Sequence, residues 1–299
     1  MKILLTGANG FLGYYLCDLL TNAGLDALAT SRGTCRLPFE QNHHFAYESL
    51  DFTDLARTLQ VVADFRPDWI IHAGAMGKPD DCALQPAVAS QTNVTGTQHL
   101  IQAAQQVQAS FCYVSTDFVF DGEVGNYNEQ AVRNPINHYG QTKVEAEEQV
   151  ERSGLRWAIV RTVLVYGRPM TGRSNLLSIV QDKLARGESY QVVDDQVRTP
   201  TYVEDLAEGI YRIITQSATG IFNISGQEVL TPYDMATRAA AYLQLDASLV
   251  VRTNTASFQQ PARRPLRTGL CIDKAKRELA FSPRSFEEGL RLTFGDPRG

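Results

Sequence analysis

The stretch "TGANGFLG", residues 6–13, sets three glycines at three-residue intervals directly behind a short apolar run, "KILLT" (2–6). Read as a strand feeding a helix, it calls for a turn too tight for side chains and a helix start with outward-facing N–H groups. Such a start suits a diphosphate, because glycine lets the backbone approach closely and the helix terminus favours negative charge. A glycine triplet alone says little; the strand-then-helix setting gives it meaning. Gly7, Gly10 and Gly13, with Phe11 and Leu12 between them, are therefore expected to line a dinucleotide site.

Outward from that loop the same rhythm repeats. "DALAT" (26–30), "DWIIHAG" (68–74), "ASFCYVS" (109–115) and "RWAIVRT" (156–162) are short, apolar and poor in charge. Between them lie amphipathic segments such as 11–24 and 88–108. Strands buried on both faces and alternating with helices predict a doubly wound parallel sheet, an α/β Rossmann-like fold. After Tyr166-Gly167 the rhythm loosens. The expectation is a dinucleotide-binding domain over 1–167 and a smaller α/β substrate domain over 168–299, with the helical stretch 202–216 returning to the first.

Bulk properties narrow the class. The chain has 299 residues, 43% hydrophobic and 20% charged, as in an ordinary globular protein. No run approaches the roughly 20 apolar residues of a membrane span, and the N-terminal apolar stretch is too short for a signal peptide. The protein is expected in the cytoplasm, without membrane contact. A net charge of −5 argues against a nucleic-acid surface. The five cysteines are scattered, which suggests reduced thiols, and His43-His44 lacks companion ligands, so no metal site is expected.

"HYGQTK" (138–143) puts Tyr139 and Lys143 four apart and runs into "VEAEEQVERS" (144–153), a segment of strong helix formers, so the two share one helix face. A free tyrosine titrates near ~10 and a lysine near ~10.4, and a nearby ammonium eases proton exchange by stabilising phenolate. Ser115, Thr116 and Asp117 fall at the carboxyl end of the fifth predicted strand, where open parallel sheets place their ligands. At the end of the second strand stand Ser31 and Arg32 where an NAD site would carry an acidic residue. A hydroxyl and a guanidinium suit a 2′-phosphate, so the cofactor expected is NADP(H).

The Gly-x-x-Gly-x-x-Gly spacing resembles the extended short-chain dehydrogenase/reductases. That resemblance implies that Asp51 and Phe52 lie beside the adenine and that Ala73, Gly74 and Ala75 form a cofactor loop after the fourth strand. His72, on a buried strand end, reads as structural. It also implies that Thr116 hydrogen-bonds a substrate carbonyl, that Tyr139 exchanges the proton, and that Lys143 supports both tyrosine and ribose. "STDFVFDG" (115–122), "YGQTKVEAEE" (139–148), "DDQVRTPTYVEDLA" (194–207) and "RRPLRTGLCIDKAKRELAF" (263–281) together resemble the dTDP-4-dehydrorhamnose reductase group.

On that resemblance the function expected is NADPH-dependent reduction of a nucleotide-linked 4-keto-6-deoxy sugar. Thr116, Asp117, Gln196 and Arg264 would contact the sugar nucleotide. A homodimer is a possible assembly. Two departures stand out: the loop "MGKPDDCALQP" (76–86), and Arg198 where the group has glycine. A dehydratase would be expected to carry Asp-Glu after the threonine, but the pair here is Asp117-Phe118. The alternatives kept are an epimerase, or a non-catalytic NADP(H)-binding regulatory subunit like that of methionine adenosyltransferase.

Overall fold

A computed structural model describes residues 1–171, 174–258 and 260–295. The chain runs β1 (Lys2–Thr6), α1 (Phe11–Asn22), β2 (Asp26–Ser31), β3 (Phe45–Ser49), α2 (Leu55–Phe65), β4 (Trp69–His72), α3 (Pro79–Leu84) and α4 (Pro86–Ser90). A π-helical turn, Gln91–Thr95, leads into α5 (Gly96–Val107). Then come β5 (Ser110–Thr116), α6 (His138–Glu151), β6 (Trp157–Thr162), β7 (Val165–Tyr166), α7 (Leu176–Ala185), β8 (Tyr190–Val193) and β9 (Thr201–Tyr202). The chain closes with α8 (Val203–Thr215), β10 (Gly220–Asn223), α9 (Pro232–Tyr242), β11 (Val250–Thr253), α10 (Asp273–Leu279) and α11 (Phe286–Phe294).

Seven parallel strands form the large sheet in the order β10-β6-β5-β4-β1-β2-β3. The order reverses at β1, so a crevice opens beyond the carboxyl ends of β1 and β4. The register levels those ends: Thr6 pairs with Thr30 on one side and with His72 on the other. Strand alternation sends Ile3, Leu5, Ile71 and Val160 to one face, with α1 and α8 residues, and Leu4, Ile70, Phe111 and Ile159 to the other, with residues of α2, α5 and α6. Full burial of each such side chain contributes about 1.5–3 kcal/mol.

The second half does not stay apart. α8 packs along α1, and β10 hydrogen-bonds to β6, so a strand well beyond residue 167 completes the large sheet. The weak apolar run "GIFN" gave no sign of this, because strand pairing over such a separation depends on where α8 delivers the chain. Two short parallel pairs, β8 with β11 and β7 with β9, build the rest together with α7 and α9.

Candidate active site

The glycine turn behaves as its sequence requires. Gly7 has φ +74, and a Cβ on it would lie 2.7 Å from the Gly74 nitrogen, so the loop after β1 sits directly on the loop after β4. α1 begins with Gly10 as N-cap, without a capping side chain or an acidic residue in its first turn. Its outward N–H groups therefore face the crevice uncompensated, which fits an anionic diphosphate.

The crevice is one groove with two lobes that share Gly7, Gly10, Ala73 and Ala75. The lobe of about 620 Å³ holds Ser31, Arg32, Asp51, Phe52 and Gly74. It also holds Asn9 and Arg36, which sequence reading passed over. Asn9 Nδ2 donates to Thr34 O at 2.9 Å and Asn9 Oδ1 accepts from the Arg36 N–H at 3.0 Å. The glycine loop thereby folds residues 33–36 back and sets a second guanidinium beside this lobe. Asp51 spends its carboxylate locally, accepting from the N–H and hydroxyl of Thr53 at 3.0 and 2.7 Å.

His72 is buried between two hydroxyls: Thr6 Oγ1 lies 2.7 Å from Nδ1 and Thr97 Oγ1 lies 3.0 Å from Nε2. Burial pushes its pKa down to about 3, so it stays neutral and tethers β4 to β1 and α5. Asn93, in the π-helical turn, ties the next loop to α6. Its side chain pairs with the N–H and O of Met76 at 2.8 and 3.2 Å and donates to Thr142 Oγ1 at 3.0 Å.

The other lobe, about 530 Å³, is lined by Phe11, Leu12, Gly13, Thr116, Asp117, Tyr139, Lys143, Gln196 and Arg264. α6 reaches it because Asn137 caps the helix, accepting from the Gly140 N–H at 2.8 Å. A Cβ on Gly140 would lie 2.1 Å from Phe118 O, so only glycine lets the helix press this closely on the turn after β5. Tyr139 thus stands edge-on to Phe118, ring centroids 5.8 Å apart. Lys143, one turn on, is 2% exposed. Its Nζ donates to Val114 O at 2.8 Å and lies 4.0 Å from the Tyr113 ring centroid. Burial lowers its pKa to about 7.

Thr116 Oγ1 accepts from the Phe118 N–H at 3.2 Å and donates to Asp117 Oδ1 at 3.0 Å. Asp117 is buried; burial raises its carboxyl, against the opposing pull of Arg198 at 3.8 Å and of the Thr268 hydroxyl. Gln196 is held at both ends of its amide, donating to Thr255 Oγ1 at 3.0 Å and accepting from Arg198 Nη2 at 3.1 Å. Arg264 forks onto Asp80, with both N···O distances 2.6 Å.

Behind α6 lies a polar knot that spacing did not reveal. Glu147, wholly buried one turn below Lys143, accepts from Arg161 Nε and Nη2 at 3.0 and 2.6 Å, from Arg133 Nη1 at 3.0 Å and from Ser115 Oγ at 2.6 Å. Burial would raise its carboxyl; these contacts outweigh it and hold the group below the usual range. The knot locks the end of β5 to α6, the two elements that carry Thr116 and Lys143. The residue types gave a signal, a Glu at i+4 from the lysine, but nothing local says that it points inward.

Among the described residues no group of three or more His, Cys, Asp or Glu side chains could hold a metal ion, and no helix is long and apolar enough to cross a membrane. The five cysteines are free thiols; burial is complete for Cys17, Cys82 and Cys112.

A seven-stranded parallel sheet, a glycine loop at its switch point and a Tyr139–Lys143 helix beside Thr116 define an extended short-chain dehydrogenase/reductase. Within that class, residues 1–296 match the RmlD substrate binding domain, and the chain belongs to that family. The chain is similar to a crystal structure of dTDP-4-dehydrorhamnose reductase from Bacillus anthracis in complex with NADP, with TM-score 0.86, 29% identity and 98% of each chain covered. Methionine adenosyltransferase 2 subunit beta of Bos taurus is 32% identical over 83% of this chain and 73% of its own length. The probable low-salt glycan biosynthesis reductase Agl14 of Haloferax volcanii is 28% identical, covering 97% of this chain and 96% of its own.

Proposed function

We propose that the protein is an NADPH-dependent reductase of a nucleotide-linked 4-keto-6-deoxy sugar. The observation that carries the reading is that Thr116, Tyr139 and Lys143 line one lobe of the groove whose other lobe holds Ser31, Arg32 and Arg36. The uncapped start of α1 takes the cofactor diphosphate, and the two arginines take a 2′-phosphate, as guanidinium forks do. Bound there, NADPH supplies the hydride.

Everything else falls to side chains of this chain. Tyr139 donates the proton to the substrate oxygen as charge develops on it. Lys143, fixed by Val114 O, stabilises the phenolate left behind. Thr116 holds the oxygen in place, which requires its hydroxyl to turn from Asp117 toward the substrate. Gln196, Arg198 and Arg264, from the second half of the chain, supply the sugar-nucleotide side of the groove.

The identity to methionine adenosyltransferase 2 subunit beta favours a second reading, a non-catalytic NADP(H)-binding subunit. The test runs purified protein and NADPH against a panel of nucleotide 4-keto-6-deoxy sugars, with pull-down of a methionine adenosyltransferase alongside. NADPH oxidation with a member of the panel is expected. No oxidation together with stoichiometric capture of the synthetase would replace the first reading by the second.

A further inference from the structure

The two departures from the reductase pattern, the loop 76–86 and Arg198, grip the same short segment. Arg198 Nη1 donates to Leu266 O at 2.9 Å and Nη2 to Pro265 O at 2.6 Å, while the Val197 N–H reaches Leu266 O at 2.6 Å. Asn137 Nδ2 donates to Arg263 O at 2.7 Å. Pinned on both flanks, Arg264 stays on the cleft wall. Its fork is filled from the loop by Asp80, which also accepts from the Ala262 N–H at 3.1 Å.

The partners differ in freedom. The Arg264 side chain is 14% exposed and its Nη1 also donates to Ala262 O at 2.6 Å, which holds the guanidinium in place, while the Asp80 side chain, 33% exposed, has open water beside it. The described cations lining this lobe are Lys143, Arg198 and Arg264. Arg198 is already spent on Val197 O, Leu266 O, Gln196 and Pro265 O, and Lys143 on Val114 O. Only the Arg264 fork is held by a group that could be exchanged for another anion. A carboxylate and a phosphate present the same paired oxygens to a guanidinium, and the phosphate brings more charge.

We propose that Asp80 occupies the seat on Arg264 that two phosphate oxygens of the substrate take, which makes Asp80 a specificity-determining residue. A neutral sugar cannot displace a carboxylate from a fork; a sugar diphosphate can. Asp80 thus screens for the nucleotide-linked form. The inference rests on the sugar-nucleotide reading above, and its test reads binding, not turnover, so that the two can fail separately.

With the cofactor lobe saturated by NADPH, inorganic pyrophosphate and dTDP are titrated calorimetrically into wild type, Asp80→Asn, Asp80→Ser and Arg264→Gln. Removing the competing carboxylate is expected to tighten both ligands about fivefold or more, and removing the guanidinium to weaken them about tenfold. NADPH affinity, read separately, reports folding. Asp80 variants that bind the ligands no better than wild type would make the ion pair a plain structural latch and overturn the proposal. So would loss of NADPH binding in both Asp80 variants, or equal binding by wild type and Arg264→Gln. Failure to oxidise NADPH with any keto sugar would sink the reductase reading and leave the binding result standing.

Discussion

Lys143→Met is expected to make the protein more stable at neutral pH while abolishing turnover. The Lys143 ammonium is buried, and its pKa falls from 10.5 to about 7 in the folded chain. Between those values the unfolded chain holds a proton that the folded chain has released, so raising the pH stabilises the fold through this group. Below pH ~7 both states are charged and the folded state carries the net cost of the buried ammonium, desolvation less the attraction of Glu147 and Cys82, ~4–5 kcal/mol at 1.36 kcal/mol per pKa unit. Methionine removes that penalty. It also loses the bond to Val114 O, ~1 kcal/mol, and the ammonium–ring contact over Tyr113, up to ~2 kcal/mol. The net gain at pH 7 is ~2 kcal/mol. At ~2.1 cal/mol/K per residue, a chain of this length melts with an entropy of ~0.6 kcal/mol/K, so Tm should rise by ~3 °C. Near pH 10.5 the advantage should vanish or reverse. Thermal melts of the cofactor-free wild type and variant at pH 7, 8.5 and 10 measure this difference. A variant less stable at pH 7, with a Tm difference that does not move with pH, would refute the account of Lys143 as a buried, strained ammonium.

Three further outcomes follow from the same geometry. Arg32→Ala should weaken NADPH by about tenfold or more and leave NADH nearly unchanged, in titrations of each cofactor; equal losses for both would remove the 2′-phosphate assignment. Tyr139→Phe should lower kcat by ~10²-fold or more on the true substrate with little change in NADPH affinity, since general acid catalysis typically supplies that much; a near-normal rate would end the proton-donor role. Glu147→Gln leaves the buried guanidinium of Arg161 facing a neutral amide, which costs ~3–5 kcal/mol, so Tm should fall by ~5–8 °C; a fall under ~2 °C would mean that the knot does not hold β5 to α6.

What could be read from the sequence was whatever local geometry controls. Three glycines after a strand force the same turn wherever the chain goes next, and a tyrosine and lysine four apart share a helix face in any surroundings. Strand-like runs alternating with helices likewise left little choice but a parallel sheet, because each strand needs a crossover. The resemblance carried over motif by motif then named residues that do line one groove. Other features depended on partners far along the chain. Arg36 reaches the groove only because Asn9 folds its loop back, and β10 joins the sheet only because α8 returns along α1. Glu147 is a surface-looking acid until Arg161, on β6, is found beneath it. Arg264, expected from the resemblance to contact the sugar nucleotide, shows this most: its fork is already filled by Asp80, 184 residues away. No periodicity encodes a pairing over that distance. It is decided by which strand ends the sheet order brings level, and by the buried Arg198 that holds the segment Pro265–Leu266 against them.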